Sequence, residues 1–321
     1  MKIRSAYVVA LKQAVQDLAR GSIPIVADIG ELDEIGFYFL CDQIAVQIAD
    51  PGFALHYGSL LHLGTHGVLG SALMSCRTLH DAAEFLVRHN PLRMMGGHIK
   101  FSIDGDDAIL SMTGGIELPS TPDFLPQVFL MAVTNGVREL LGVELDGCHI
   151  EFAFQPSMPC RIYEQCVGIP VVFGATENRF VGPRDAIALP LAASDNEFAD
   201  IFVRHCSKLL INQEQALNYA ERVKQTLLNT KNKFSDESGV AQCLDVSPRT
   251  LRRRLSDEGT SFQKIQDQLR NEMAMACLSQ TQMPIAEIGQ LLGFEDVANF
   301  RRAFRRWNGC SPQDFRGVRE L

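Results

Sequence analysis

Apolar residues recur with a helical period along much of the N-terminal part of the chain. The first such segment, residues 8–18, places on one face Leu11, Ala14, Val15 and Leu18. It predicts an amphipathic helix and not a cleaved signal peptide, because polar residues interrupt it. Further helical patterns cover residues 34–49, 78–89, 125–141 and, as one long stretch, about 194–228.

Strand patterns lie between these helices. Residues 98–114 contain two alternating runs around Asp104-Gly105, which is the pattern of a β-hairpin. Apolar runs within 148–154 and 170–174 predict two more strands. Helices interspersed with a hairpin and short strands predict an α+β domain.

The C-terminal part carries one pattern twice. Residues 240–255 and residues 288–304 each contain a short apolar helix, a tight turn and a second helix. Matching apolar positions align the two copies with a single one-residue insertion at the turn. Two helix-turn-helix units in an all-α region are the simplest interpretation.

Capping residues support both copies. In the first, Ser247 is a good N-cap and Pro248 suits the first helical position, while Gly259 ends the helix. In the second, Asp296 is the expected N-cap and Asn308-Gly309 the expected end.

Polarity and charge divide the chain in two. Residues 229–238 (NTKNKFSDES) are polar and predict a linker between residues 1–228 and 239–321. The whole chain has a net charge of -8, yet residues 231–321 hold 14 Lys and Arg against 12 Asp and Glu, a net charge of +2. Residues 1–230 hold 16 Lys and Arg against 26 Asp and Glu, a net charge of -10. This asymmetry suggests that an acidic module is joined to one that faces nucleic acid.

The second helix of each copy is predicted to expose arginines over an apolar face, at about 100° per residue. The inward stripe comprises Leu251 and Leu255 in the first copy and Phe300, Phe304 and Trp307 in the second. The outward face comprises Arg249, Arg252 and Arg253 in the first copy and Ala298, Arg302 and Arg305 in the second. Such a helix fits the DNA major groove, where arginine pairs bidentately with guanine. An ordinary solvated face would mix its charges, whereas residues 246–256 and 297–306 contain no acidic residue.

The segments VSPRTLRRRLSDEGTSF, LRNEMAMACL and IAEIGQLLGFEDVANFRRAFRRWNGCSPQDFR resemble the DNA-binding domain of the AraC/XylS transcription regulators. The resemblance implies a linker helix at 262–279 between the two units. It implies base contacts by Arg249, Arg252, Arg253, Val297, Ala298, Asn299 and Arg302. Flanking positions expected to contact phosphates are Ser247, Thr250, Arg254, Arg301, Arg305 and Arg306.

Three positions depart from the family pattern. Ala298 replaces a frequent Ser, Gly289 a usual Ala, and Phe315 a common Tyr. Asn299 and Arg302 are therefore left to supply the hydrogen bonds of the second unit.

The N-terminal part resembles the "arabinose-binding" type of sensing domain found in regulators of ornithine use and their relatives. The resemblance rests on HGVLGSALMSCRTLHDAAEFLVRH and on two segments within residues 143–191. It implies an effector-sensing and dimer-forming domain, whose ligand need not be arabinose. Residues 57–95 mix apolar residues with candidate effector-binding residues, namely His62, His66, Arg77 and Arg93. An arginine anchor would suit a small organic effector with a carboxylate.

Other chemistry has weaker support. His62 and His66 have helical spacing but no H-E-x-x-H motif, and Cys160 and Cys166 form no C-x-x-C, so we expect no metal site. The Pro-Cys-Arg at 159–161 leaves one alternative, an Ada-like or redox-reactive protein that acts through Cys160. Otherwise no nucleophile–base pair or cofactor loop indicates an enzyme or a cofactor.

The sequence therefore predicts a cytoplasmic transcription regulator. The nine cysteines are irregularly spaced and favour reduced thiols, and no run of about 18 apolar residues indicates a membrane span. The expected partners are double-stranded promoter DNA, a small-molecule effector, RNA polymerase and a second copy of the chain. The sequence leaves open the effector, the operator and the direction of regulation.

Overall fold

The computed structural model describes residues 5–18, 34–89, 97–114, 118–191, 199–215, 218–229, 236–280 and 283–317. Within these residues, eight α-helices precede residue 216: α1 (Ser5–Leu18), α2 (Glu34–Ile48), α3 (Phe53–Ser59), α4 (Val68–Met74), α5 (Leu79–His89), α6 (Phe124–Leu141), α7 (Cys160–Val167) and α8 (Ala199–Gln215). The predicted helices at 8–18, 34–49, 78–89 and 125–141 are confirmed, with ends shifted by a few residues.

A five-stranded sheet forms the centre of the N-terminal half. Its strands are β1 (His98–Asp104), β2 (Asp107–Thr113), β3 (His149–Phe152), β4 (Val171–Phe173) and β5 (Asn178–Pro183), in the order β1-β2-β5-β3-β4. All neighbours are antiparallel except β3 and β4, which are parallel. The predicted hairpin is β1–β2, whose turn contains Gly105 at a φ of 58°. The pattern predicted no strand at β5, although β5 lies in the middle of the sheet.

One face of the sheet is apolar and packs against α6. Leu110, Ile150 and Phe180 align across β2, β3 and β5 and are almost completely buried. They share a hydrophobic core with Phe129 and Leu130 of α6. Helices packed on a mostly antiparallel sheet make this half α+β, as predicted.

The described residues of the C-terminal part form seven helices: α9 (Tyr219–Asn229), α10 (Glu237–Cys243), α11 (Pro248–Asp257), α12 (Phe262–Gln280), α13 (Ile285–Leu291), α14 (Val297–Asn308) and α15 (Pro312–Gly317). The pairs α10–α11 and α13–α14 are the two predicted helix-turn-helix units, and α12 is the predicted linker helix. Ser247 accepts a hydrogen bond from the backbone N–H of Thr250 at 3.1 Å. Asp296 accepts one from Ala298 at 2.9 Å, so both predicted N-caps are confirmed.

The single helical pattern predicted over 194–228 is wrong, because two helices occupy it. α8 ends at Gln215 and α9 begins at Tyr219. Glu258 lies at the start of α9, where its two carboxylate oxygens accept hydrogen bonds from the backbone N–H groups of Tyr219 and Ala220, at 2.6 and 2.8 Å. This carboxylate supplies an acceptor for backbone donors that a helix start leaves unpaired.

The contacts of α9 bear on the domain boundary. Val223 and Leu227 of α9 are completely buried and belong to the same hydrophobic core as Leu251 and Leu255. α9 packs against α10, α11 and α12. The division into 1–228, a linker at 229–238, and 239–321 stays a prediction, but these contacts favour a DNA-binding unit that begins at about Asn218. We propose that revised boundary.

The two halves of the chain also touch. α2 packs against α12, and its residues Phe37, Phe39 and Ile44 lie in the same core as Leu269 and Met273 of α12. The burial of α2 on several sides explains its nearly continuous apolar sequence. The N-terminal half thus contacts the helix that joins the two helix-turn-helix units.

Candidate nucleic-acid interface and ligand cavity

α11 presents its arginines outward, as predicted. Leu251 and Leu255 are completely buried, whereas Arg249, Arg252 and Arg253 are exposed. The N-cap Ser247 and Pro248 fix where the helix begins. The hydroxyl groups of Ser247 and Thr250 lie 2.9 Å apart at this end of the helix. Hydroxyl and backbone N–H groups at a helix start suit phosphate oxygens.

Arg252 is held in place by the first helix of its unit. Its Nε lies 2.8 and 2.9 Å from the two carboxylate oxygens of Glu237 in α10. The hydrogen bond that Arg252 donates to Glu237, and then the negative charge of that carboxylate, raise the pKa of the Arg252 guanidinium above its usual value. The side chain remains 71% exposed, so the ion pair orients Arg252 without removing it from the surface.

Arg254 has different surroundings from the other arginines of α11. Its guanidinium carbon lies 5.0 Å from the centre of the Tyr219 ring in α9, although the side chain is exposed. This cation–π contact ties the flank of α11 to α9. The flanking position expected from the sequence is therefore confirmed, while a phosphate contact stays a prediction.

α14 repeats the arrangement of α11. Phe300 and Phe304 are completely buried and Trp307 is half-buried, which confirms the predicted inner stripe. Val297 is half-buried at the helix start, and the following residues, Ala298, Asn299 and Arg302, are exposed. Arg302 donates a hydrogen bond to Oδ1 of Asn299. The two residues expected to carry hydrogen bonding in the second unit thus form one polar pair.

The remaining arginines of α14 surround this pair. Arg301 and Arg305 are exposed and form no ion pair within the part of the chain that the structure describes. Arg306 lies 3.0 Å from Asp267 of α12, and its guanidinium carbon lies 6.0 Å from the centre of the Trp307 ring. Both α11 and α14 therefore present several cationic groups above buried apolar residues, the arrangement that major-groove helices need.

A second candidate site is a cavity of about 150 Å³ in the N-terminal half. It lies between α6 on one side and α4, α5, β2 and β5 on the others, and Tyr7 of α1 closes part of it. Its lining is almost wholly apolar. The hydroxyl oxygen of Tyr7 lies 2.7 Å from Nδ1 of His66, and these two side chains form a polar corner.

Of the four predicted effector-binding candidates, His66 lines this cavity. His62 is exposed and lies 2.8 Å from Glu139. Arg77 is also exposed and lies 2.7 Å from Asp200. Neither His62 nor Arg77 belongs to the lining, and Arg93 lies outside the described residues. The arginine anchor expected for a carboxylate effector is thus not found at Arg77.

The cysteines and clusters of possible metal ligands are the remaining candidates for reactive chemistry. All nine cysteines are free thiols. Cys160 is exposed at the first position of α7, whereas burial raises the pKa of Cys76 to about 12 and that of Cys41 further still. Among the described residues, no three His, Cys, Asp or Glu side chains gather as metal ligands, and no helix is long and apolar enough to span a membrane.

Two family models match the chain. The arabinose-binding domain of AraC transcription regulators matches residues 37–191, and a helix-turn-helix domain matches residues 240–317. β5, which the apolar pattern missed, lies inside the first match. The second covers α11 to α15 completely.

Two similar proteins match the sequence of this chain along nearly its whole length. An ornithine utilization regulator of Pseudomonas aeruginosa is 29% identical over 307 residues, which cover 95% of this chain and 90% of that protein. A transcriptional regulator of the helix-turn-helix type from Mycobacterium tuberculosis is 27% identical over 293 residues, 90% of this chain and 85% of its own.

A solved structure supports the same fold. The crystal structure of the transcriptional regulator CdpR from Pseudomonas aeruginosa covers 98% of this chain and 99% of its own, with a TM-score of 0.52 and 23% identity. The curated relatives are named as transcriptional regulators, and this family is not enzymatic. Two family domains in this order, behind two capped arginine-bearing helices, place the chain in the AraC family of DNA-binding transcription regulators, with an N-terminal domain of the arabinose-binding type.

Proposed function

We propose that the chain binds a specific promoter sequence through α11 and α14 and that a small molecule in the N-terminal cavity controls this binding. One observation carries the DNA-binding half of the proposal. Two capped helices, each the second helix of its unit, expose arginines above completely buried Leu or Phe residues. This geometry delivers guanidinium groups to a groove while the inner face holds the helix rigidly.

The residues divide by the contacts they can make. We propose direct base contacts for Arg249, Arg252, Arg253, Val297, Ala298, Asn299 and Arg302. Arginine is suited to guanine O6 and N7, and asparagine to adenine N6 and N7. The Arg302–Asn299 pair combines both donor sets on one surface of α14. Phosphate contacts fix the position of the protein on the duplex without reading its sequence. We propose such contacts for Ser247, Thr250, Arg254, Arg301, Arg305 and Arg306.

Effector control is supported by the position of the cavity. Tyr7 lines the cavity and belongs to α1, α1 packs against α2, and α2 packs against α12. A ligand that contacts Tyr7 is therefore two helix contacts away from the linker between the DNA-binding units. A ligand shifts the protein only if it binds one arrangement of these helices more tightly than the other. This chain of contacts is the physical route that we propose.

Further partners follow from this role. We propose a homodimer formed through the N-terminal half, where Ile201 and Leu209 leave apolar surface exposed on α8. Sedimentation of the wild type and of an Ile201→Asp variant tests that surface. RNA polymerase at the promoter is a further proposed partner. A role on chromosomal DNA, together with free thiols, supports action in the cytoplasm.

The decisive experiment is capture of genomic DNA fragments by the purified full chain, followed by sequencing. We expect a small set of promoter fragments to be enriched. The double variant Arg253→Ala, Arg302→Ala should lose this enrichment. Arg184→Ala, Arg204→Ala removes the same charge from exposed positions of the N-terminal half and should keep it. No enrichment by the wild type, or equal loss in both variants, would contradict sequence-specific binding through α11 and α14.

A further inference from the structure

The cavity exists because small residues line several of its walls. Alanine or glycine lies at seven of the described lining positions: Ala82, Ala83, Ala108, Ala132, Gly136, Gly182 and Ala186. Larger side chains at the alanine positions would reduce the space between α5, α6 and the sheet, whereas a Cβ at Gly136 or Gly182 would press against a neighbouring lining side chain at 3.2 or 3.1 Å. Protein interiors pack tightly, and empty spaces much larger than a water molecule are few. A cavity of about 150 Å³ bounded by small residues is thus a candidate binding site.

The lining decides which charges the cavity can accept. Among the residues that the structure describes, the lining contains no Lys, Arg, Asp or Glu side chain. A charged group moved from water into such a place would lack a partner, which costs several kcal/mol or forces the group to neutralise. Amino acids, diamines and carboxylates are therefore poor ligands for this space.

The hydrogen-bonding capacity of the lining is equally limited. Its polar side chains, within the described part of the chain, are Tyr7, His66 and the weakly polar Cys148. Tyr7 and His66 already bond each other at 2.7 Å. A sugar carries several hydroxyl groups, each with a donor and acceptor sites, and most of them would remain unpaired here. A molecule with at most one polar group, placed at the Tyr7–His66 corner, would leave few hydrogen-bonding groups unpaired.

Volume sets the size of the ligand. An apolar protein cavity of about 150 Å³ stays dry and takes up benzene. The cavity here has about the same volume, so the part of a ligand that it encloses has about six to ten non-hydrogen atoms.

We infer that the cavity binds an uncharged, mainly hydrocarbon molecule of this size, with a ring or short chain and at most one hydroxyl or carbonyl group. The inference rests on the proposed effector control and names its ligand class. It differs from what the words ornithine and arabinose in the names of the relatives and of the family domain would suggest, because those compounds are charged or rich in hydroxyl groups.

The test is calorimetric titration of the full chain with matched probes. Toluene, benzyl alcohol and 1-hexanol represent the inferred class. Benzoate and benzylammonium have nearly the same shape but carry a charge, and L-ornithine and L-arabinose represent the alternatives. We expect binding by members of the first group and at least tenfold weaker binding by every other probe.

Two variants locate the site. Ala132→Leu in α6 and Ala83→Leu in α5 fill the cavity from different walls, so failure of one variant to fold leaves the other. Each should weaken binding of the uncharged probes at least tenfold. Ala153→Leu makes the same change at an exposed position outside the lining and should leave binding unchanged.

The outcomes separate the inference from the proposed function. If benzoate, benzylammonium, ornithine or arabinose binds best and Ala132→Leu abolishes it, the ligand class is wrong while effector control stands. If no uncharged probe binds at millimolar concentration, the inference is also wrong. If uncharged probes bind in the cavity but leave promoter occupancy unchanged, the inference stands and effector control fails.

Discussion

Arg253 and Arg254 are adjacent in sequence but have different surroundings. Arg253 is exposed on the outer face of α11, while Arg254 lies over the ring of Tyr219. We predict that Arg253→Ala costs about 1–3 kcal/mol of binding and relaxes preference at one base pair, because a bidentate contact is lost. Arg254→Ala should weaken all sequences alike and lower the salt slope by about one. Fluorescence anisotropy with an operator and its single-base variants measures both. Equal, sequence-independent losses in the two variants would contradict the assignment.

Asp42 shows how one buried side chain fixes α2 within the N-terminal half. It is completely buried in α2, and its carboxylate accepts hydrogen bonds from the backbone N–H groups of Ser120 and Thr121 and from the Thr121 hydroxyl, at 2.6 to 3.2 Å. We predict that Asp42→Ala lowers the free energy of unfolding by about 2–4 kcal/mol, since these donors lose their acceptor. Asp42→Asn keeps one acceptor oxygen and should lose less. Urea denaturation measures both variants, and an Asp42→Ala protein as stable as the wild type would refute this role.

At the scale of elements, α9 depends on an acceptor from another helix end. Glu258, just after α11, binds the first backbone N–H groups of α9. We predict that Glu258→Ala costs about 0.5–2 kcal/mol, as loss of an N-cap does. Hydrogen exchange should become faster in Tyr219–Asn229 of the full chain, while α14 should be unaffected. Glu258→Gln, which retains one acceptor oxygen, should give a smaller change. Unchanged exchange in α9 would show that packing alone holds its start.

Local chemistry explains which elements the sequence could predict. Ser247 and Asp296 cap helices through backbone groups two or three residues away, so the signal lies within a short segment. The break between α8 and α9 was missed, since its acceptor, Glu258, lies 38 residues from Ala220. β5 was missed because Gly182 and Pro183 are poor strand formers, and pairing with strands on both sides stabilises it.

The recognition helices and the cavity also differ in how far the sequence could predict them. Each recognition surface, on α11 or α14, is one helix long, and periodicity therefore predicted which residues it exposes. The cavity draws its lining from positions between Tyr7 and Ile187, which only the folded chain brings together. No local pattern could select Ala132 or Gly136 as wall residues. His66 was selected for its chemistry, and the same criterion also selected Arg77, which binds Asp200 instead.

For the whole molecule, charge and packing give the two halves different roles. The acidic N-terminal residues repel DNA, while the exposed arginines of α11 and α14 attract it. The apolar contact between α2 and α12 nevertheless makes the halves mechanically dependent. A change in the position of α2 would alter its packing against α12. The relative orientation of the two recognition helices, α11 and α14, would change with it.

This dependence leads to a prediction about coupling. Suppose that the cavity ligand and the operator each bind one arrangement of α2 on α12 more tightly than another. Each must then change the affinity of the protein for the other by the same factor. We expect a factor of about 5–150, the usual range for such coupling. Titrating the full chain with its uncharged ligand, with and without saturating operator, gives one factor, and titrating it with operator, with and without ligand, gives the other. A fragment that begins at Asn218 retains α9 to α15 but lacks both α2 and the cavity, so it should bind the operator with no response to the ligand. Ligand affinity that is the same with and without operator would show that α2 and α12 touch without communicating.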